Sequence, residues 1–97
     1  MDDNGAPRVT VVVPAYNEAR SLPELLAETG EALEGIPWEA VVVDDGSTDS
    51  TWNVLLDLKS EYPLAALKLG RNQGKAAALA AGFSRARGSY VATLDAD

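Results

Sequence analysis

The stretch Val9-Thr10-Val11-Val12-Val13-Pro14-Ala15-Tyr16-Asn17-Glu18 decides how the rest of the chain is read. Val9 to Val13 is β-branched and nearly continuously apolar. Such a run suits a strand buried on both faces, as in a parallel sheet, better than a strand with one wet side. Pro14 cannot donate to a ladder, so the strand is expected to end there. A tyrosine, an asparagine and a glutamate then follow at the carboxyl end of a buried strand.

The same alternation continues outward from this stretch. Ser21-Leu22-Pro23-Glu24 has the form of a capping box with a proline early in the first turn. Leu22, Leu25, Leu26, Thr29, Leu33 and Ile36 follow at helical spacing, and Gly35 suits a left-handed stop. Trp38 to Val43 reads as a second strand. Ser47 to Asp49 reads as the cap of a second helix, with Leu55, Leu58 and Tyr62 as its buried stripe and Pro63 closing it. Leu64 to Leu69 is a weaker third strand. Asn72 to Arg87 reads as a third helix ended by Gly88, and Tyr90 to Leu94 as a fourth strand. This β-α-β-α-β-α-β order, with right-handed crossovers, predicts a Rossmann-like three-layer αβα fold: a parallel sheet with helices on both faces. The third helix carries Ala76, Ala77, Ala78, Ala80, Ala81 and Gly82. Two readings stand for it: close approach to the sheet under a ligand, or plain helix propensity.

Composition narrows the chemistry. With 97 residues, 46% of them hydrophobic and 24% charged, the chain suits one small globular core. Residues 1–7 are polar and read as a disordered lead-in with no signal-peptide core, leaving 8–97 as one unit. There is no cysteine and no histidine. Thiolate sites and disulfides are excluded, the cytoplasm is permitted, and any metal must be held by oxygen, which favours Mg²⁺ or Mn²⁺ over zinc. The commonest general base is missing as well. A net charge of -7 would repel a polyanion, so nucleic acid is not expected as a partner. No apolar run approaches the roughly 20 residues of a membrane span.

In open α/β sheets, ligands bind beyond the carboxyl ends of the strands. Three polar clusters fall there: Pro14 to Glu18, Asp44-Asp45-Gly46-Ser47-Thr48-Asp49, and Asp95-Ala96-Asp97. Converging carboxylates repel one another, and a divalent cation relieves the repulsion. Asp95 and Asp97, two apart on extended chain, project the same way and could share one hard cation bridging diphosphate oxygens; a solvated turn is the plainer alternative. One carboxylate of Asp44 and Asp45 could accept a ring N–H of uracil or guanine, with Asp45 favoured, while the other orders the loop or meets the metal. Asp-Gly as a turn is the plainer alternative, and Asp49 reads as an N-cap. Tyr16 could stack on a base or only pack, and Glu18 could reach a ribose or only favour a helix start. Arg71-Asn72-Gln73-Gly74-Lys75 places a cation at a helix N-terminus, where anions bind, although a solvated lysine is the plainer reading. No Walker A loop and no Gly-X-Gly-X-X-Gly is present.

Taken together, Val11 to Glu18, Val43 to Asp49, Asn72 to Lys75 and Leu94 to Asp97 resemble family 2 glycosyltransferases in order and spacing over nearly the whole chain. Arg71 to Leu79 and Asp95-Ala96-Asp97 look most like the dolichol-phosphate mannose synthase and undecaprenyl-phosphate glycosyltransferase branch. The resemblance implies a GT-A fold, a UDP- or GDP-linked sugar donor, a divalent metal and inverting transfer to a polyprenyl phosphate. The intact protein would then work at the cytoplasmic face of a membrane. It implies nucleotide contacts at Pro14, Tyr16, Glu18 and Asp45, and Ala15, Asp44 and Gly46 of the same segments are expected to bind the nucleotide with them. It also implies metal and diphosphate contacts at Asp95 and Asp97, and a diphosphate contact at Lys75. A lipid phosphate is already ionised at neutral pH and needs no general base, consistent with a chain that lacks histidine.

Family domains run well past the aspartates at which this chain stops, so these residues alone are expected to bind nucleotide without turnover. Transfer to a saccharide hydroxyl and nucleotide binding without catalysis are the alternatives. A phosphoacceptor receiver fits poorly because its acidic pair follows strand one, and a sugar nucleotidyltransferase fits poorly because its glycine-rich signature is absent. The apolar last strand, left at an edge, predicts a homo-oligomer.

Overall fold

In a computed structural model, which describes residues 5–96, the chain forms the alternating order expected. The elements are β1 (Val9–Ala15), α1 (Leu22–Ala32), β2 (Trp38–Asp44), α2 (Thr51–Leu58), β3 (Leu64–Lys68), α3 (Lys75–Arg85) and β4 (Tyr90–Thr93). All pairings are parallel and the sheet order is β3-β2-β1-β4. The β-branched run that opens the sequence is therefore a central strand, paired on both edges. Of the 1–7 lead-in, residues 1–4 lie outside the described residues, and Pro7 is buried.

β1 and β2 separate two cores. Val11, Val13, Ala40 and Val42 pack with Leu22, Leu26, Leu55 and Leu58 of α1 and α2. Val41 and Val43 face Ala78 of α3 on the other side. Each fully buried leucine or valine contributes roughly 1.5–3 kcal/mol relative to exposure. The small-residue reading of the third helix resolves toward close approach. A Cβ on Gly82 would collide with Val12 Cγ1 and touch Val43 Cγ2, so only glycine lets α3 lie this near the sheet.

Several element boundaries differ from the expectation. β1 does not stop at Pro14 but pairs through Ala15, with Pro14 opposite Val43. In a parallel strand the N–H and C=O of one residue face the same neighbour. Arg8 and Val12 accept from Tyr90 and Leu94 of the β4 segment, whereas Ala15 accepts from Asp45 on the β2 side. The missing N–H of Pro14 thus points toward β4, beyond the last pair, Val12 with Thr93, where no ladder remains to be broken. The capping box does not form: Ser21 precedes α1 but makes no side-chain cap, and its hydroxyl donates to Glu18 Oε1 at 2.7 Å. α2 starts later than read, with Ser50 at its N-cap and the Asp49 carboxylate accepting the Thr51 N–H at 2.9 Å. The Thr51 hydroxyl also donates to Asp49 and holds its carboxyl below the ordinary range. α3 is shorter at both ends than Asn72 to Arg87, because Gly74 sits at φ 99° and Ala86 is extended.

The amino ends of the strands are tied by a buried carboxylate. Glu39, on β2, accepts the Thr10 hydroxyl at 2.7 Å and the Arg87 N–H at 2.9 Å on Oε2. Arg87 reaches Oε1 through Nε at 3.2 Å and Nη2 at 3.1 Å. Thr10 in turn accepts the Gly88 N–H at 2.8 Å. One side chain therefore joins β1, β2 and the turn between α3 and β4. Burial pushes the Glu39 carboxyl up, but the Thr10 and Arg87 hydrogen bonds and the Arg87 charge outweigh it, so its pKa lies below the ordinary value. A depressed folded-state pKa adds stability that is fully present above the unfolded value, about 4.3, and is lost as pH falls through the folded one. Glu39→Gln should cost about 1–3 kcal/mol at pH 7, as a charged acceptor with several donors is lost. It should also flatten the acid limb of stability. Urea unfolding of both proteins from pH 7 down to pH 3 measures this; parallel acid limbs would show that Glu39 ionisation is uncoupled from folding.

Candidate functional site

A cleft of about 250 Å³ opens at the carboxyl ends of the strands. Because β1 lies between β2 and β4, all three strand ends contribute. Its lining is Pro14 and Ala15 at the end of β1, Tyr16 and Glu18 after it, Asp45 after β2, Asn72, Gly74 and Lys75 at the entrance of α3, and Asp95 and Ala96 after β4. The structure therefore brings together seven of the ten sequence-predicted site residues. Asp44 and Gly46 are not in the lining, and Asp97 lies outside the described residues.

The paired aspartates divide their work. Asp44 is 1% exposed and turns into its own loop, where Oδ1 accepts the Ser47 N–H at 2.9 Å. Asp45 is 4% exposed and spans to another segment. Its Oδ1 accepts the Gln73 N–H at 2.8 Å and its Oδ2 the Gly74 N–H at 3.0 Å. Those donors lead into α3, whose N-cap, Gly74, has no side chain to offer. A carboxylate at a helix N-terminus satisfies orphan N–H groups and meets the positive end of the dipole. Asp45 thus orders the loop that carries Lys75, one of the roles open for the pair. Gly46 has a steric reason of its own. It sits at φ 72°, and a Cβ there would collide with the backbone of Arg71 and Asn72. It lets the loop after β2 lie flat on the loop before α3.

Across the cleft, Lys75 Nζ pairs with Asp95 Oδ1 at 2.6 Å, and both side chains are more than half exposed, at 61% and 56%. Exposed pairs of this kind contribute only about 0–1 kcal/mol, so the contact is easily exchanged for another. Tyr16 is 44% exposed along one wall. Glu18 is held from both ends: its N–H donates to Thr51 Oγ1 at 3.0 Å, and Oε1 accepts from Ser21. Among the described residues no three acidic, histidine or cysteine side chains are grouped to hold a metal. The donors lining the cleft are nonetheless all of the hard, oxygen type. Mg²⁺ commonly takes one or two carboxylates and completes its shell with phosphate oxygens and water. Asp95 fits a cation that arrives with a diphosphate better than one held in a preformed cage.

Some site residues carried no assigned role in the sequence. Asn72 and Ala96 line the cleft, and Asn17, Ser47, Thr48 and Thr51 brace it from behind. The available signal was an asparagine two residues after a strand, a residue type that tolerates left-handed backbone.

Comparison with known proteins agrees with this geometry. The chain is 44% identical over 94 residues to an undecaprenyl-phosphate 4-deoxy-4-formamido-L-arabinose transferase of Salmonella paratyphi B, covering 93% of this chain and 29% of that one. It is 39% identical over 90 residues to a dolichol-phosphate mannosyltransferase of Pyrococcus furiosus, covering 93% of this chain and 26% of that one. The fold matches PcManGT, a mannosyltransferase of Pyrobaculum calidifontis solved in complex with GDP-Man and Mn²⁺. That match has a TM-score of 0.79 and 36% identity, covering 95% of this chain and 28% of that one. The chain thus spans under a third of the length of these relatives. A family model for glycosyl transferase family 2 matches residues 10–97, and the chain belongs to that family of transferases.

Proposed function

We propose that the cleft holds the nucleoside diphosphate part of a sugar nucleotide, with UDP or GDP as leaving group, and that the intact protein passes the sugar to a polyprenyl phosphate. The observation that carries this reading is the meeting of Asp45, Lys75, Asp95 and the N-terminus of α3 around one cleft walled by Tyr16. A diphosphate seeks positive charge and N–H donors, and Lys75 with the start of α3 offers both. Tyr16 gives a base a flat apolar neighbour. Each Asp45 oxygen keeps a second lone pair beyond the backbone N–H it accepts, so the carboxylate can still receive a ring N–H. Glu18 lines the cleft, fixed through Oε1 and its own N–H, and would meet the ribose or the base.

The transfer itself is an in-line displacement with inversion. An oxygen of the lipid phosphate attacks the anomeric carbon while the bond from that carbon to the diphosphate oxygen breaks, and the electron pair leaves with the nucleoside diphosphate. Lys75 stabilises the charge that develops on the departing oxygen. A bound Mg²⁺ or Mn²⁺ ion, with Asp95 and Asp97 as its carboxylates, would supply Lewis-acid charge to the same diphosphate. No described helix is long and apolar enough to cross a membrane. A lipid-phosphate acceptor would bring the intact protein to the cytoplasmic face of a membrane.

The exposed fourth strand supports association of two copies. Tyr90 and Val91 of β4 and Leu94 just after it are 61%, 46% and 37% exposed, and among the described residues β4 pairs only with β1. Beside it an apolar groove of about 350 Å³ runs between Ala92, Leu94, Val9 and Val11 and the side chains of Leu25 in α1 and Leu33 at its C-cap. Burying such surface gains roughly 25 cal/mol per Å².

Calorimetric titration of UDP and GDP should show binding that weakens about tenfold or more when EDTA replaces Mn²⁺, the equivalent of ~1.4 kcal/mol. Equal affinity in both conditions would remove Asp95 and Asp97 from any metal role. Asp45→Asn should lower nucleotide affinity by a similar factor. It should also cost about 1–3 kcal/mol of stability, because the amide turns a donor toward one of the two N–H groups that Asp45 accepts. Unchanged affinity in a destabilised variant would leave Asp45 a purely structural role. Sedimentation of micromolar protein in about 0.15 M salt, where charge repulsion is screened beyond ~8 Å, should reveal dimers or larger species. A single monomeric boundary would end the idea of association through β4.

A further inference from the structure

We infer that Asn17 is a positioning residue: its side-chain oxygen clamps the loop after β2 onto the loop after β1 and thereby fixes Tyr16 and Glu18 at the cleft wall. The consequence for ligand binding rests on the nucleotide reading above; the clamp itself does not.

Among the described residues Asn17 is the one non-glycine residue with positive φ, at 55°. That region is sterically disfavoured for most residues, and asparagine is among the few that tolerate it. The conformation aims the side chain at a different part of the chain. Asn17 Oδ1 accepts the Thr48 N–H at 2.8 Å, the Asp49 N–H at 3.2 Å and the Thr48 hydroxyl at 3.3 Å. In the other direction, the Asn17 N–H donates to Ser47 Oγ at 2.9 Å, and Ser47 is itself held by Asp44. These contacts cross 30 to 32 positions of sequence. Two backbone N–H donors on one atom also identify it as the amide oxygen.

A residue needed only to turn the chain would require the left-handed backbone and nothing else. Here the side chain satisfies two N–H groups of the segment leading into α2, which otherwise has no cap from Ser50. Asn17 does not line the cleft, yet Tyr16 and Glu18 on either side of it both do. The clamp therefore acts on the ligand through its neighbours. It also explains why the Asp44 carboxylate, buried and absent from the lining, still bears on the site: Asp44 holds Ser47, Ser47 holds Asn17, and Asn17 sets the wall.

The two demands on Asn17 separate by substitution. Asn17→Gly keeps the left-handed backbone and loses the oxygen, whereas Asn17→Asp keeps both a tolerated backbone and an acceptor in the same place. The test measures amide hydrogen exchange by NMR without ligand, then UDP and GDP affinity by calorimetry with Mn²⁺, for the whole 97-residue chain. In Asn17→Gly, Thr48 and Asp49 should exchange about tenfold faster while Val12 and Val41 do not change, and nucleotide should bind about tenfold more weakly. Asn17→Asp should stay within about threefold of wild type in both readouts. Wild-type affinity in Asn17→Gly overturns the positioning role, as does an Asn17→Asp variant as weak as the glycine variant. If wild-type protein binds neither nucleotide, the nucleotide reading is lost, and the exchange data decide the clamp: unchanged Thr48 and Asp49 exchange in Asn17→Gly overturns it.

Discussion

The carboxylate of Asp45, accepting the Gln73 and Gly74 N–H groups from the end of β2, is the contact on which the upper half of the molecule depends. It is nearly fully buried, so its charge must be met by close donors. It holds the two N–H groups that lead into α3, whose N-cap, Gly74, has no side chain. Once α3 starts at that point, Lys75 is delivered to Asp95 and the cleft acquires its cationic wall. Gly46 makes the contact sterically possible by letting the two loops touch.

The site is an assembly of loops rather than of side chains from rigid elements. Three cross-loop ties hold it: Asp45 to the approach of α3, Asn17 to Thr48 and Asp49, and Glu18 to Thr51. Each uses a backbone N–H at a strand or helix end, where the regular ladders leave donors unpaired. The donors that terminate secondary structure are thus the material from which the site is built. The opposite end of the sheet uses the same principle through Glu39, which collects Thr10 and the Arg87 N–H. There the groups converge on a buried side chain and hold the strands together. At the carboxyl end they leave an open cleft.

Charge is distributed accordingly. A chain of net charge -7 would be a poor host for a diphosphate if its carboxylates faced the ligand unopposed. Asp44 and Asp45 are instead satisfied by backbone donors, and Asp95 by Lys75. Under the proposed function, the lysine side of the Lys75–Asp95 pair would meet the departing diphosphate and the carboxylate side a divalent cation. The exposure of both groups keeps the exchange of partners inexpensive.

Much of this was legible in the chain order. The β-branched run Val9 to Val13, the helical spacing of Leu22, Leu26 and Thr29, and the alternation of the segments determine a parallel α/β sheet, because the period and length of apolar runs leave few other ways to bury them. The polar clusters at strand ends, with Lys75 before a run of alanines, pointed to seven of the residues that line the cleft, and the resemblance of these motifs in order and spacing pointed to the glycosyltransferase family. Tertiary structure alone decided the rest. Pro14 continues its strand because its missing N–H points to the side where β4 has already ended, a fact of strand order that Pro14 itself does not encode. Ser21 donates to Glu18, a residue that Thr51 of α2 holds in place, instead of capping α1, and Asp45 binds a loop 28 and 29 residues away because the donors it meets arrive from elsewhere in the fold. Local propensity describes what a residue does with its neighbours in sequence. Which unpaired N–H lies within hydrogen-bond reach is set by how the strands are ordered and how closely α3 settles on them.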